Sequence, residues 1–196
     1  MQDNEGYVIN SYESAVLKLK APSGASVIIN EESNVLYGDG TVTFTFTMQQ
    51  KEKLTLKLRI PSWSEKTVCS VDGKLYETVK GTYCKIEEYF ENGSKIAVKL
   101  DNSFKLVRRN GKTLVKKGAY VLARDERYHD GFNDSVEIAV DKQGNVRAKT
   151  IKTGLFDTIL EYEIATVDGK TIKMCDYGSA GKAWDSGIDT KLTAWL

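Results

Sequence analysis

The stretch Thr41-Val-Thr-Phe-Thr-Phe-Thr-Met48, followed after Gln49-Gln-Lys-Glu-Lys53 by Leu54-Thr-Leu-Lys-Leu-Arg-Ile60, decides the fold class. Val42, Phe44, Phe46 and Met48 fall on one side of an extended chain, and Thr41, Thr43, Thr45 and Thr47 on the other. Beyond the polar turn at 49–52, Leu54, Leu56, Leu58 and Ile60 repeat the period of two. Such alternation marks strands with one dry and one wet face, and the spacing predicts a hairpin. A slip of one residue would turn all eight apolar side chains to water, so the register is firmly set. Burying eight side chains does not offset the backbone entropy of ordering both strands. A second sheet must cover them, which points to a sandwich.

The rest of the chain supplies more strands. Short alternating or apolar runs occupy Tyr7–Tyr12, Ala15–Lys20, Ser26–Asn30, Thr67–Val71, Leu75–Val79, Thr82–Phe90 and Lys95–Leu100. Turn signals separate them at Pro22-Ser-Gly24, Gly38-Asp-Gly40, Asp72-Gly73, Lys80-Gly81 and Glu91-Asn-Gly93. After Asn110-Gly111 a second series covers Ala119–Arg124, Val136–Val140, Val146–Ile151, Ile159–Thr166, Thr171–Cys175 and Lys191–Leu196. The polar stretch Asp125–Asp134 reads as a long hydrated loop. No segment keeps a helical period over three turns. The expectation is an all-β chain of two packed, jelly-roll-like β-sandwich parts built from antiparallel strands, 1–109 and a smaller 110–196.

Composition narrows the function classes. The 196 residues carry a formal net charge of +1, which gives no general attraction to nucleic acid or to acidic membranes. Lys105, Arg108, Arg109, Lys112, Lys116 and Lys117 form a basic stretch, read here as a solvated strand end and loop because the wider footprint of nucleic-acid binding is missing. Cys69, Cys84 and Cys175 are odd in number and widely spaced, with no CxxC pair. Cys84 alternates in phase with Ile86 and reads as a buried, inert thiol. Unpaired cysteines favour a reducing, cytoplasmic setting, and Met1–Glu5 shows neither a signal peptide nor a membrane anchor.

No set of residues assembles into a catalytic centre. Glu87, Glu88 and Glu91 close a strand, where solvated carboxylates are ordinary, although glycoside hydrolysis does use a carboxylate pair. His129 is the only histidine; with Asp125, Glu126, Asp130 and Asp134 it matches neither zinc nor calcium spacing. Neither a Gly-x-Ser-x-Gly elbow nor a glycine-rich phosphate loop is present. No catalytic residue, metal or cofactor is expected. Trp63 and Trp184 are the candidates for contact with a sugar face; Trp63 ends a strong strand, and Trp184 lies in a Gly- and Ser-rich loop.

Ordered pieces along the chain resemble a known family. Leu54-Thr-Leu-Lys-Leu-Arg-Ile-Pro-Ser-Trp63 is similar to a strand ending in "RIPxW", and Val68-Cys-Ser-Val-Asp-Gly73 to a "V-x-V-N-G" turn. Gly81-Thr-Tyr-Cys-Lys-Ile86 parallels "G-Y-x-x-I", and Ile96-Ala-Val-Lys-Leu100 after Asn92-Gly93 parallels "G-D-x-I-x-L". Gly6-Tyr-Val-Ile-Asn-Ser-Tyr12 upstream, Lys117-Gly-Ala-Tyr-Val-Leu-Ala123, and the end from Asp176 through Trp184 to Leu196 complete the series. Ala119 stands where the pattern has proline. Together they resemble the C-terminal region of glycoside hydrolase family 127, the β-L-arabinofuranosidase-like enzymes.

The resemblance implies that catalysis belongs to an (α/α) barrel N-terminal to this region, with a cysteine nucleophile and a zinc held by cysteines and a glutamate. None of those roles transfers to Cys69, Cys84 or Cys175. The implied role is a non-catalytic region of a glycoside hydrolase that supports this barrel or contributes to homodimer contacts, with an apolar surface near Trp63 where the barrel would sit. The alternative is a carbohydrate-binding module for plant polysaccharide.

Overall fold

The computed structural model describes residues 1–132, 134–154, 158–181 and 191–196. Among these the only helical element is a single 3-10 turn, Glu126–Tyr128, and no helix is long and apolar enough to cross a membrane. The chain is all-β, with antiparallel sheets, as its alternation predicts. It divides into two compact units, Met1–Asn102 and Ser103–Leu196.

In the first unit a six-stranded sheet is built from β2 (Ala15–Lys20), β3 (Ser26–Ser33), β4 (Thr41–Met48), β6 (Val68–Val71), β7 (Lys74–Tyr76) and β9 (Lys95–Lys99). Its order is β2-β3-β4-β9-β6-β7. A smaller sheet, ordered β1-β5-β8, is built from β1 (Tyr7–Ile9), β5 (Glu52–Arg59) and β8 (Tyr83–Phe90). β1 runs parallel to β5, and the other pairs are antiparallel. The inward residues of both sheets form one core that includes Val42, Phe44, Phe46, Met48, Leu54, Leu56, Leu58 and Ile60. Phe46 of β4 and Phe90 of β8 stack between the sheets, with ring centroids 4.3 Å apart and planes 14° from parallel.

The expected hairpin of β4 and β5 does not form. β4 pairs with β3 and β9, while β5 pairs with β1 and β8. The chain between them therefore crosses the core and carries β5 into the opposite sheet. All eight alternating apolar residues are buried as the sequence requires. Alternation fixes which side chains face inward, but it is equally satisfied by neighbours in one sheet and by strands facing each other across a core. The Gln49–Lys51 connection also lacks the Asn-Gly or Asp-Gly signature of a tight hairpin.

Gly6 shows why β1 can lie against β5. A Cβ there would sit 2.3 Å from the Thr55 carbonyl oxygen, so the close approach of the two strands excludes any side chain.

The second unit contains one half-barrel sheet. Its strands are β10 (Phe104–Arg109), β11 (Lys112–Lys117), β12 (Tyr120–Asp125), β13 (Ala148–Thr150), β14 (Glu161–Ala165) and β15 (Thr171–Asp176), in the order β10-β11-β12-β15-β14-β13. β16 (Leu192–Thr193) adds to the Arg124–Asp125 end of β12. Val115, Leu122, Ile138, Leu160, Tyr162, Ile164, Ile172 and Met174 form its core, with Phe104 set edge-on to Tyr162. The sequence division at 109/110 falls between β10 and β11. These strands pair from Phe104–Lys117 to Arg109–Lys112, which places both in the second unit. Asn110 and Gly111 have φ of 51° and 73°, the left-handed pair of a two-residue hairpin turn. The basic stretch thus lies on a complete hairpin and not on a strand end and loop. The expected strand Val136–Val140 is reduced to bridges from Ile138 to Thr166 and from Val140 to Val146.

Candidate functional site

Trp63, at the end of the "RIPxW"-like strand, is half-buried and packs against the first core. Exposed apolar side chains do occur on the chain that follows it. Val68 and Leu75 sit with Ser70 on the outer face of β6 and β7, Val79 lies in the connecting segment, and Tyr83 lies on the opposite outer face, on β8. Trp184 lies outside the described residues.

The β8 carboxylates do not converge. Glu87, on the outer face, pairs with Lys53 at 2.6 Å. Glu88 turns the other way and takes bonds from the Lys74 ammonium and the Tyr76 hydroxyl. These hydrogen-bonding cations and donors hold both carboxyls below the usual glutamate range. A general acid for glycoside cleavage needs a raised value, so neither glutamate is poised for that role.

The described residues of the Asp125–Asp134 stretch are hydrogen-bonded to the sheet and do not form a merely hydrated loop. The Arg124 guanidinium is 1% exposed; Nη1 donates to the Asp134 carbonyl at 3.0 Å and Nη2 to the Gly131 carbonyl at 2.6 Å. Nη2 also reaches the Asp130 carbonyl and carboxylate, both at 3.3 Å. Asp130 in turn accepts from the Lys173 amide of β15 at 2.6 Å, tying the segment to the sheet. Asp125 is fully buried. Burial pushes its carboxyl up, but bonds from the Arg127 side chain and the Gly181 and Arg127 amides outweigh this and hold it below the ordinary aspartate value. His129 adopts φ 51° as the left-handed cap of the 3-10 turn, its amide donating to the Glu126 carbonyl. Glu161 and Asp176 are buried too, and both accept from backbone amides: Thr153 on Glu161, and Leu160 and Ser179 on Asp176. All three carboxylates are engaged in holding loops onto the sheet. Among the described residues no three His, Cys, Asp or Glu side chains gather as a metal site would require.

The three thiols are buried. Cys69 and Cys84 meet across the first core, and this mutual hydrogen bond together with burial pushes Cys69 up. Burial pushes the Cys175 thiol up to about 12. A buried thiol with a raised value is a poor nucleophile.

Glu31 carries one of the buried side-chain polar atoms that lack a hydrogen-bond partner, as does Arg124 at Nε. Glu31 of β3 is 4% exposed, and its Oε1 has no hydrogen-bond partner. Burial raises its carboxyl to about 7 against a backbone hydrogen bond from Glu13 that lowers it. The folded state therefore holds this proton more tightly than the unfolded chain, and the Glu31 contribution to stability declines as pH rises from about 4.5 to about 7. Glu31 lines a groove of about 430 Å³ with Tyr7, Ile9, Leu17, Leu19 and Glu13, among others. Sequence reasoning missed it by ending the strand at Asn30. The signal is phase: Val27, Ile29 and Glu31 point inward together. Glu52 is also inward-facing and buried, but Ser23 and Gln50 satisfy its carboxylate.

Residues 6–102 match the family model described as "Beta-L-arabinofuranosidase, GH127 middle domain". The first unit is a GH127 middle domain. The match places the Arg59–Trp63 strand end, the Asp72-Gly73 turn and the Gly6 approach within that domain. The fold similarity extends over nearly the whole chain. A GH127 β-L-arabinofuranosidase from Geobacillus stearothermophilus T6 superposes with a TM-score of 0.72 at 16% identity, covering 98% of this chain and 34% of that one. A structure described as a glycoside hydrolase gives 0.73 at 16% identity, covering 96% and 35%. Another GH127 β-arabinofuranosidase gives 0.71 at 18% identity, covering 99% and 35%. At such identities the shared property is the fold. The chain spans about a third of the length of these solved structures. No curated protein sequence matches it.

Proposed function

We propose that this chain is a non-catalytic β-sandwich region of a β-L-arabinofuranosidase-like glycoside hydrolase, and that it supports and orients a catalytic (α/α) barrel or the contacts between two copies of the enzyme. The observation that carries this reading is the coverage. Nearly all of this chain is used to match about a third of each GH127 structure, leaving two-thirds of those chains for other work. The chemistry of the described side chains supports it. Glu87 and Glu88 are lowered by their partners, Asp125, Glu161 and Asp176 are committed to loop amides, and the thiols are buried. Trp63 packs against the core after β5, and the exposed Val68, Leu75 and Val79 are apolar surface that a neighbouring domain would cover.

The test is deletion in the full-length enzyme. Removing residues 1–196 should leave a barrel that aggregates or hydrolyses an aryl β-L-arabinofuranoside at least about tenfold more slowly, since loss of a domain contact exposes apolar surface and loosens the site it braces. A truncated enzyme with unchanged solubility and unchanged kcat/KM would overturn the proposal.

A further inference from the structure

We infer that the groove over β2 and β3 of the first unit binds a primary alkylammonium group, with the cation against Glu31 and its apolar stem along Leu17 and Leu19. The groove arises from unequal sheets. Three strands face six, so β2 at the edge has no complete cover, and its inward Leu17 and Leu19 remain half-exposed although they belong to the core face. Ile9 and Tyr7 of β1 supply further apolar lining. The Tyr7 hydroxyl is already committed to the Lys20 backbone, accepting from its amide at 3.0 Å and donating to its carbonyl at 2.8 Å, so this residue offers its ring and not a polar handle.

At the least exposed point of this lining sits the Glu31 carboxyl with its unpartnered oxygen. A buried acceptor without a donor costs roughly 1–3 kcal/mol, more when charged, so a ligand that supplies a donor recovers that cost on binding. Charge selects the kind of donor. Glu13 is the second acid of the lining, and no lysine, arginine or histidine is part of it. The remaining charge is the Met1 ammonium, which donates to the Val8 carbonyl at 3.0 Å. Tyr12, the other titratable group facing Glu31, donates its hydroxyl to the Arg59 carbonyl at 2.6 Å. A neutral hydroxyl would give Glu31 one hydrogen bond. An ammonium gives the hydrogen bond and also relieves the repulsion between the two carboxylates. The apolar walls favour a cation on an aliphatic stem over a fully hydrated inorganic ion. The raised carboxyl value adds a pH signature: the ammonium binds the ionised form, so affinity should fall as pH drops through about 7.

The experiment is a titration of the full chain with n-butylamine hydrochloride, followed by methyl and amide NMR, with n-butanol as the neutral isostere. Shifts should concentrate at Ile9, Leu17, Leu19 and the Glu31 amide. One charge-assisted contact corresponds to a change of about tenfold or more in affinity, so binding should weaken by that factor from about pH 8 to about pH 5.5. Glu31→Gln should produce a similar loss at the higher pH and abolish the pH dependence. Glu13→Gln, at an exposed position, should weaken binding by a smaller factor. Any one of three results overturns the inference: n-butanol binding as tightly as the amine, Glu31→Gln binding the amine unchanged, or no shifts at the groove at either pH.

Discussion

Arg124→Ala is expected to destabilise the second unit by about 3–5 kcal/mol, the cost of breaking a buried charged network by removing one partner. The guanidinium is the largest fully buried polar side chain described, and it holds three backbone carbonyls and the Asp130 carboxylate at once. Its removal takes one donor from each of these acceptors and empties the buried space that the guanidinium fills; the Gly131 carbonyl keeps the Asp134 amide and the Asp130 carboxylate keeps the Lys173 amide. Arg124→Met keeps most of the volume and should cost nearly as much, because the loss is of donors and not of packing. Arg124→Lys should recover little, since one ammonium cannot reach carbonyls that the planar fork spans. Urea unfolding of the three variants, with hydrogen exchange at the Lys173 amide as a local reporter, checks the expectation. A cost below about 1 kcal/mol for both Ala and Met would show that the 125–134 segment does not depend on Arg124.

Phe46→Ala should cost the first unit about 3–5 kcal/mol, as for other buried aromatic truncations. Phe46 is 1% exposed and stacks on Phe90 from the opposite sheet. Coupling between the two rings, from a double-mutant cycle of Phe46→Leu with Phe90→Leu, should be about 0.5–1.5 kcal/mol. No coupling would mean that the two sheets do not meet at these rings. The cycle therefore also tests the crossing of the chain between β4 and β5 that replaces a hairpin.

The contrast between inward phase and strand pairing shows what a single sequence can reveal here. Every one of the eight residues from Val42 to Ile60 that alternation assigns to the interior is buried. Phase is local and is written residue by residue. Pairing is a choice among partners far apart in the chain, and β4 finds its neighbours at residues 27–33 and 95–99. Asn110-Gly111 carries a hairpin signal that is strong on physical grounds, yet in the sequence it reads as the point where a second series of strands begins. The Arg124 network was illegible for a different reason. Its partners are backbone carbonyls, which every residue has, so no residue type marks them. Glu31 was legible in phase alone: an acid in the inward register of a strand is a conflict that only a partner, a proton or a ligand resolves. Trp63 was readable as following a strong strand, and it packs against the core just beyond β5.

The claim on which the functional reading rests is that the two facing sheets enclose an apolar interior and leave bond-breaking to another part of the enzyme. The most direct measurement is the release of aryl alcohol from an aryl β-L-arabinofuranoside by the purified 196-residue chain, compared with buffer and with its Glu87→Gln and Glu88→Gln variants. Release no faster than in buffer is the predicted result. Turnover by the isolated chain that disappears when one carboxylate is replaced would contradict it.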